Sequence, residues 1–546
     1  MRFTNKVVCI IFIGLSPLFV VAQSKEKPKD NWQNLDLKTD GVFGISTEKA
    51  YNLLKGKVAM PIIVAVIDGG IFEVHEDLKT SMWINEKEIP GNGVDDDKNG
   101  YADDINGWNF IGSPNKNVQY DNMELTRLVK KLQPKYSAAL NSTPFNEEER
   151  KEFVQYQKLI AAYMDELQKA QMGYENTMLF KRYLEEITAK MKINNPVLAD
   201  FDKYKPANDI ESRVLKALKS ELKDGTTLNE IQEDLTEGFK YYSTLLKYHL
   251  NLDYNSRDSV GDNYSDSNER IYGNPDITGP DAEHGTHVAG IIAASRINNL
   301  GIKGVADNVK IMGIRAVPDG DERDKDVANA IRYAVDNNAK IINMSFGKSY
   351  SWDKKVVDEA VKYAMSKNVL LIHAAGNDGL NTDKENNFPN RLFVDSIGVN
   401  MGKAPLWIEV GASGWKNDED LVADFSNFGK KTVDVFAPGV KINSTMPDSK
   451  YKENDGTSMA SPVVAGLAAL IWSYYPYLSA LQVKEAIMNS VSKVEQKVKI
   501  KENGSSKKVS FDEISVSGGI VNAYNAILLA EKMSKSQSSN SQSEVN

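Results

Sequence analysis

From residue 309 to residue 377 the chain alternates strand-length apolar runs with helix-length amphipathic ones. The runs 309–316, 340–347 (KIINMSFG) and 369–377 (VLLIHAAGN) read as strands, with helices at 326–337 and 353–367 between them. Strands joined by single crossover helices pair in parallel, so this stretch specifies an α/β protein with helices against the faces of its sheet. An earlier run, 60–70 (MPIIVAVIDGG), joins the same sheet. Six consecutive apolar residues stopped by Asp-Gly-Gly describe a strand buried on both faces. It ends at Asp68, and open α/β sheets place their ligand sites at the carboxyl ends of their strands. An Asp-Gly pair in that place is also an ordinary turn.

A second constraint comes from 454–470, NDGTSMASPVVAGLAAL. Pro462 is tolerated just inside a helix, where first-turn N–H groups have no intrahelical partner. The residues after it are apolar on nearly every face, so the helix is expected to be buried. Ser458 then stands among unpaired N–H groups at the positive end of the helix dipole, an environment that favours an oxyanion. A serine there is most often only a cap, and two other stretches argue for more. In 283–295 (EHGTHVAGIIAAS), His284 opens a helix whose core face is Val288, Ile291 and Ile292. Two of the five histidines of the chain fall in this turn. A zinc pair would want histidines at i and i+4 with a glutamate between them, and HGTH offers neither feature. A general base at His284 fits better, with His287 in support. Asn377 closes its strand after Ala-Ala-Gly, where its amide is placed to donate to a developing oxyanion.

Asp68, His284 and Ser458 supply the three residue types of an acyl-transfer triad, in the order Asp, His, Ser. The segments IVAVIDGGI, HGTHVAGIIA, INMSFG, HAAGND, VDVFAPG and GTSMASPVVAGLAAL resemble, in that order, those of the subtilisin-like serine proteases, over about residues 62–470. The resemblance implies a three-layer α/β fold, a parallel sheet flanked by helices. It also implies a serine endopeptidase of broad specificity, acting on protein or peptide substrates through an acyl-enzyme. Under it, Ser458 is the nucleophile, His284 the general base and acid, Asp68 its orienting carboxylate, and Asn377 the oxyanion donor. Ser345, Phe346 and Gly347 would pair with an extended substrate, and Ala375 and Gly376 would wall the pocket for the residue before the cut. Two readings from other classes compete. An esterase would want the G-x-S-x-G elbow, which is lacking here. An idle peptide-binding scaffold would have lost a triad member, and none is lost.

Three features depart from the family pattern. Asp68 and His284 stand 216 residues apart, far more than the family usually shows. Residues 23–57 are too few for a compact pro-domain. The stretch 388–407 is lengthened, which leaves the size of the pocket open. Within the long separation lie two separate textures. In 89–110 (IPGNGVDDDKNGYADDINGWNF), the pattern D-x-D-x-N-G-x-x-D places oxygen side chains around a glycine turn, the donor set of a hard cation. Asp95, Asp97, Asn99, Tyr101 and Asp103 are the expected ligands of a structural Ca2+. Asn106 stands where an EF-hand would have glutamate, so a complete EF-hand is not expected. Residues 120–253 are Gly-poor and rich in Lys, Glu, Leu and Tyr at helical spacing. Capping boxes at 146–149 and 227–230 open two of four or five expected helices, an inserted bundle that helps folding or screens the cleft. His249 within it is expected to be structural.

At the N-terminus, Arg2 and Lys6 precede the apolar stretch 7–22, which reads as a signal peptide cleaved before Gln23. Export to the periplasm or the medium is expected. The single cysteine, Cys9, lies inside that segment, so a disulfide framework is excluded. No second long apolar run calls for stable membrane insertion, and a formal net charge of −9 without a basic stripe argues against a nucleic-acid partner. A monomer is expected. Further helices are expected near 479–491 and 519–532. The tail 534–546, rich in Ser, Gln and Asn, is expected to be disordered.

Overall fold

The structure, a computed structural model, describes residues 27–395, 400–502 and 505–543, with side chains as far as residue 536. The proposed signal peptide lies outside the described residues. The chain divides into two compact units, one of Leu125–Tyr254 and one of Glu26–Glu124 with Asn255–Asn546.

The larger unit is built on a nine-stranded sheet. Its spatial order is Ser492–Lys493, Gly519–Ile520, Val435–Pro438, Trp407–Ser413, Leu370–Ala374, Ile341–Met344, Ile62–Asp68, Val309–Arg315, Gly107–Asn109. Every pairing is parallel except the edge pair of Ser492–Lys493 with Gly519–Ile520. Alternate residues of Ile62–Asp68 serve opposite faces, which explains its unbroken apolar run. Val64 and Val66 join the core beneath the helices Glu283–Ala293 and Thr457–Tyr474. Ala65 and Ile67 join the core beneath Asp324–Asp336 and Lys354–Ser366. The three-layer α/β architecture expected from the sequence is the one observed.

The helix Thr457–Tyr474 is the centre of that packing. All of its residues from Met459 to Ser473 are buried, with Pro462 in the early turns. It is the one described helix long and apolar enough to cross a membrane, and it lies inside the fold. Residues 27–57 are integral to the same core. Trp32, Val42, Ile45, Ala50 and Leu54 are buried in it, and Trp32 Nε1 donates to the Val440 carbonyl.

Two elements differ from the sequence reading. The strand Trp407–Ser413 stands within the sheet, fully buried, directly after the lengthened stretch 388–407, and no strand was expected there. The last helix runs Ala523–Ser543, continuing through much of the stretch whose composition predicts disorder. Ala523, Ala526, Ile527 and Ala530 anchor its first turns in the core.

The unit Leu125–Tyr254 is helical. A 45-residue helix, Glu147–Met191, opens with a complete Asn146–Glu149 capping box. Asp209–Lys223 and Leu228–Thr244 follow, the latter opened by the Thr227–Glu230 box. Phe180, Leu184, Ile187, Val214, Leu218 and Ile231 make a core for this unit. His249 is buried in a short π-helical turn, and its carbonyl accepts from Thr126 Oγ1.

Candidate active site

Asp68 is the last residue of its strand and is buried, while His284 opens the next long helix of the larger unit with its ring partly exposed. His284 Nδ1 lies 2.8 and 3.0 Å from the two carboxylate oxygens of Asp68. A carboxylate only accepts, so Nδ1 carries the proton and Nε2 is left with its lone pair. The carboxylate is also held by the Gly69 N–H at 2.8 Å. Close approach of the helix to the strand end requires Gly285. A Cβ there would stand 2.2 Å from the Gly70 carbonyl oxygen and 3.0 Å from Asp68 Cβ. His287 is a packing residue. Burial pushes its pKa down to about 3, and Nε2 of the neutral ring lies 2.9 Å from the Lys452 carbonyl.

Ser458 is the second residue of the helix Thr457–Tyr474 and is half-buried. Its hydroxyl donates to the Ser345 carbonyl at 3.0 Å, and no hydrogen bond joins it to the imidazole. The Ser345 hydroxyl returns a bond to the Ser458 carbonyl at 3.0 Å, accepts from Asn343 Nδ2 at 3.0 Å, and Ser461 Oγ donates to Asn343 Oδ1 at 2.8 Å. This buried polar string ties the first turn of the helix to the strand Ile341–Met344. Sequence reading missed Asn343 and Ser461. The available signal was an asparagine within a strand otherwise wholly apolar.

Asn377 is fixed in one orientation. Its Oδ1 accepts from the Thr457 N–H at 2.8 Å and from the Thr457 hydroxyl at 3.0 Å, so Nδ2 turns the other way. A Cβ on Gly456 would stand 3.6 Å from that Nδ2 and 3.5 Å from the Ser458 nitrogen. The amide of Asn377 and the main-chain nitrogen of Ser458 thus border the same small space.

Beyond Ser345, Phe346 and Gly347 lies a buried cation. Lys348 Nζ meets Glu124 Oε2 at 2.7 Å, Asp324 Oδ1 at 2.8 Å and the Glu322 carbonyl at 2.7 Å. Burial pushes the Glu322 carboxyl from its ordinary value near 4.5 up to about 8, the charge of Lys348 partly opposing the shift. The folded state therefore holds a proton that the unfolded chain has released. This contribution to stability is full below about pH 4.5 and is lost as pH rises towards 8, at up to about 1.4 kcal/mol per pH unit. Glu322→Gln, neutral throughout, is expected to gain melting temperature relative to wild type between pH 5 and pH 8. Equal differences at the two pH values would contradict the assignment.

In the acidic loop, ligand oxygens of Glu88, Asp95 and Asp97 lie within 4.8 Å of one another, a group able to hold a metal ion. Glu88 was not anticipated. It is drawn in because its two oxygens accept the Asp97 and Asp103 N–H groups at 3.0 and 2.9 Å. Asp103 is directed elsewhere, with its carboxylate accepting the N–H groups of Gly91, Asn92 and Gly93. The Asn99 amide donates to Asp104, and the Tyr101 ring packs against Trp108, Phe110 and Tyr333.

A carboxylate on an imidazole, a serine at the mouth of a buried helix and an amide donor beside it form the constellation on which Asp-His-Ser serine hydrolases are built. The sheet that carries it is parallel and three-layered. The chain belongs to the Subtilase family, whose Peptidase_S8 model matches residues 61–511. It is similar to the Thermophilic serine proteinase of Bacillus sp. (strain AK1), 36% identical over 213 residues, covering 39% of this chain and 47% of that protein. Subtilisin DY of Bacillus licheniformis is 36% identical over 212 residues, which cover 38% of this chain and 70% of the relative. The Cell wall-associated protease of Bacillus subtilis (strain 168) is 30% identical over 324 residues, covering 58% of this chain and 34% of that protein. The chain spans about half the length of several curated relatives, 47% of the first and 51% of Subtilisin E.

Proposed function

We propose that this protein is an exported serine endopeptidase that cleaves peptide bonds through an acyl-enzyme. The observation that carries the reading is the His284 Nδ1–Asp68 pair, which leaves Nε2 as a base at the sheet edge where Ser458 and Asn377 also stand. The Ser458 hydroxyl attacks the substrate carbonyl carbon while its proton passes to His284 Nε2, and Asp68 supports the imidazolium. The oxyanion of the tetrahedral intermediate accepts from Asn377 Nδ2 and the Ser458 N–H. His284 then gives the proton to the leaving amine, and the C–N bond breaks. Water repeats the sequence on the acyl-enzyme, releasing the acid and restoring the serine.

The Ser345 carbonyl, which accepts the resting Ser458 hydroxyl, is the acceptor that an extended substrate would take with its own backbone N–H. Docking displaces the hydroxyl and releases it to the imidazole. Ser345, Phe346 and Gly347 form one side of the substrate groove, and Ala375 and Gly376 the other. The test is labelling by a fluorophosphonate, with matched peptide and ester substrates run alongside. Label that persists in Ser458→Ala, or ester hydrolysis without peptide hydrolysis, would overturn the proposal.

The acidic loop is read as a structural Ca2+ site. Three carboxylates within reach of one ion are a hard oxygen donor set, and their mutual repulsion is relieved by a cation. Bound calcium would then stabilise the fold. At a free concentration one hundred times its Kd the gain is about 2.7 kcal/mol, or several degrees of melting temperature. Chelation is expected to lower the melting temperature, and Asp95→Ala with Asp97→Ala to abolish that response. A chelator that leaves the wild-type melt unmoved would rule the site out.

A further inference from the structure

The two segments proposed to wall the substrate groove are bridged at one point by a side chain that neither contributes. Asn387 Nδ2 donates to the Ala375 carbonyl at 3.1 Å and lies 3.3 Å from the Ala374 carbonyl oxygen. On the other side its Oδ1 faces Gly347, where a Cβ would stand 2.4 Å from that oxygen and 3.1 Å from Cγ. A Cβ on Gly376 would also lie 3.6 Å from Nδ2. The carboxamide therefore spans from Gly347 to the Ala374–Gly376 segment and occupies the space between them. Its backbone is held in place, since the next residue exchanges both N–H to O bonds with Lys348, at 2.9 and 2.8 Å. The opposite wall is fixed as well. Asn427 Nδ2 donates to the Ala375 carbonyl at 2.8 Å, and the Asn427 N–H donates to the Gly376 carbonyl at 2.9 Å.

We infer that Asn387 is the residue that sets specificity for the side chain preceding the cut, closing the pocket to large apolar and aromatic groups and favouring small ones such as alanine. The inference rests on the endopeptidase reading and on the assignment of these two segments as pocket walls. The physical argument is one of volume and of satisfied polarity. A leucine or phenylalanine side chain entering between the walls has to displace a carboxamide whose hydrogen bonds to main-chain carbonyls it cannot replace. The Ala375 carbonyl would keep only its Asn427 bond, and the displaced carboxamide would lose the acceptors it has between the walls. A methyl group makes no such demand. Differences of this kind in an apolar pocket are worth roughly 10–200-fold per methylene.

The experiment uses the full chain and a series of peptides identical except for Ala, Leu or Phe before the scissile bond. Each preparation is titrated with fluorophosphonate to count active sites. Wild type is expected to favour Ala over Phe in kcat/KM by at least about tenfold. Asn387→Gly is expected to raise kcat/KM for Phe by at least about tenfold, with Ala changed far less. Asn387→Ala, which keeps a Cβ to restrain the backbone, gives a smaller shift in the same direction and serves if the glycine variant does not fold. An unchanged Phe-to-Ala ratio in a variant that titrates fully would overturn the inference, as would a wild type that prefers Phe. A wild type that neither titrates nor cleaves any of the peptides would instead defeat the endopeptidase reading itself.

Discussion

Replacing Ser458 with alanine is expected to lower kcat on peptide substrates by about a million-fold, the size of the loss in subtilisin, a relative. The reason lies in how the three side chains divide the work. His284 can take a proton only from a group that offers one, and Asp68 acts only through His284. Removing the serine therefore idles both. For the same reason His284→Ala is expected to cost about as much, and the double variant little more than either single one. Hydrolysis that remains above the rate in water would come from the Asn377 amide and from substrate binding along 345–347. The fold should be nearly indifferent. The serine hydroxyl is half-exposed and makes one hydrogen bond to the Ser345 carbonyl, worth about 1 kcal/mol. A variant that melts like wild type, fails to label and retains less than about one part in ten thousand of the rate meets the expectation. A folded variant with activity within a hundredfold of wild type would remove Ser458 from the reaction.

The parts of this site that could be read from the sequence are those whose environment is written locally. Ile62–Asp68 and Thr457–Tyr474 are buried on all sides, so their burial appears as unbroken apolar runs with chemistry at one end. Asp68, His284, Asn377 and Ser458, the residues proposed for the chemistry, each stand at or near an element boundary. What stayed hidden depends on partners far away in the chain. Trp407–Ser413 carries Glu409 at its centre, which spoils the apolar pattern. That charge makes sense only beside His373 of the neighbouring strand, whose Nδ1 lies 2.9 Å from Glu409 Oε1, and Trp407 Nε1, which donates to Oε2 at 2.7 Å. The orientation of Asn377 is set by Thr457, 80 residues later. In the acidic loop the sequence names the acids, but a backbone turn decides which of them converge. Asp103 has a positive φ of 58° and is carried to the amides of Gly91–Gly93, while Glu88 from outside the motif takes a place beside Asp95 and Asp97.

Lys348→Met is expected to be strongly damaging, through stability and not through chemistry. Methionine keeps the apolar stem of the side chain, one atom shorter, and removes its charge. Lys348 and Glu124 are buried, and Asp324 is 4% exposed, so the carboxylates cannot turn to water when the ammonium is gone. Breaking a buried pair by deleting one member costs about 3–5 kcal/mol, because the remaining charge is left uncompensated. At about 2–4 °C per kcal/mol this is on the order of 10 °C in melting temperature at pH 8. The loss has a pH signature. Lys348 is what holds the Glu322 carboxyl down as far as about 8, so without it Glu322 binds its proton more tightly. Below about pH 8 both folded proteins keep the Glu322 proton and their difference should stay nearly constant; as pH rises past about 8 wild type releases it while the variant still holds it and goes on losing stability, so the gap should widen there. Adding Glu124→Gln to Lys348→Met should recover part of the loss, since one of the stranded charges is then gone. The backbone bridge between Lys348 and Phe388 does not use the side chain, so at temperatures where the variant is folded its preference among Ala, Leu and Phe substrates should match wild type. A melting temperature within about 3 °C of wild type at pH 8, well under the cost of an uncompensated buried charge, would show that Lys348 does not neutralise these carboxylates.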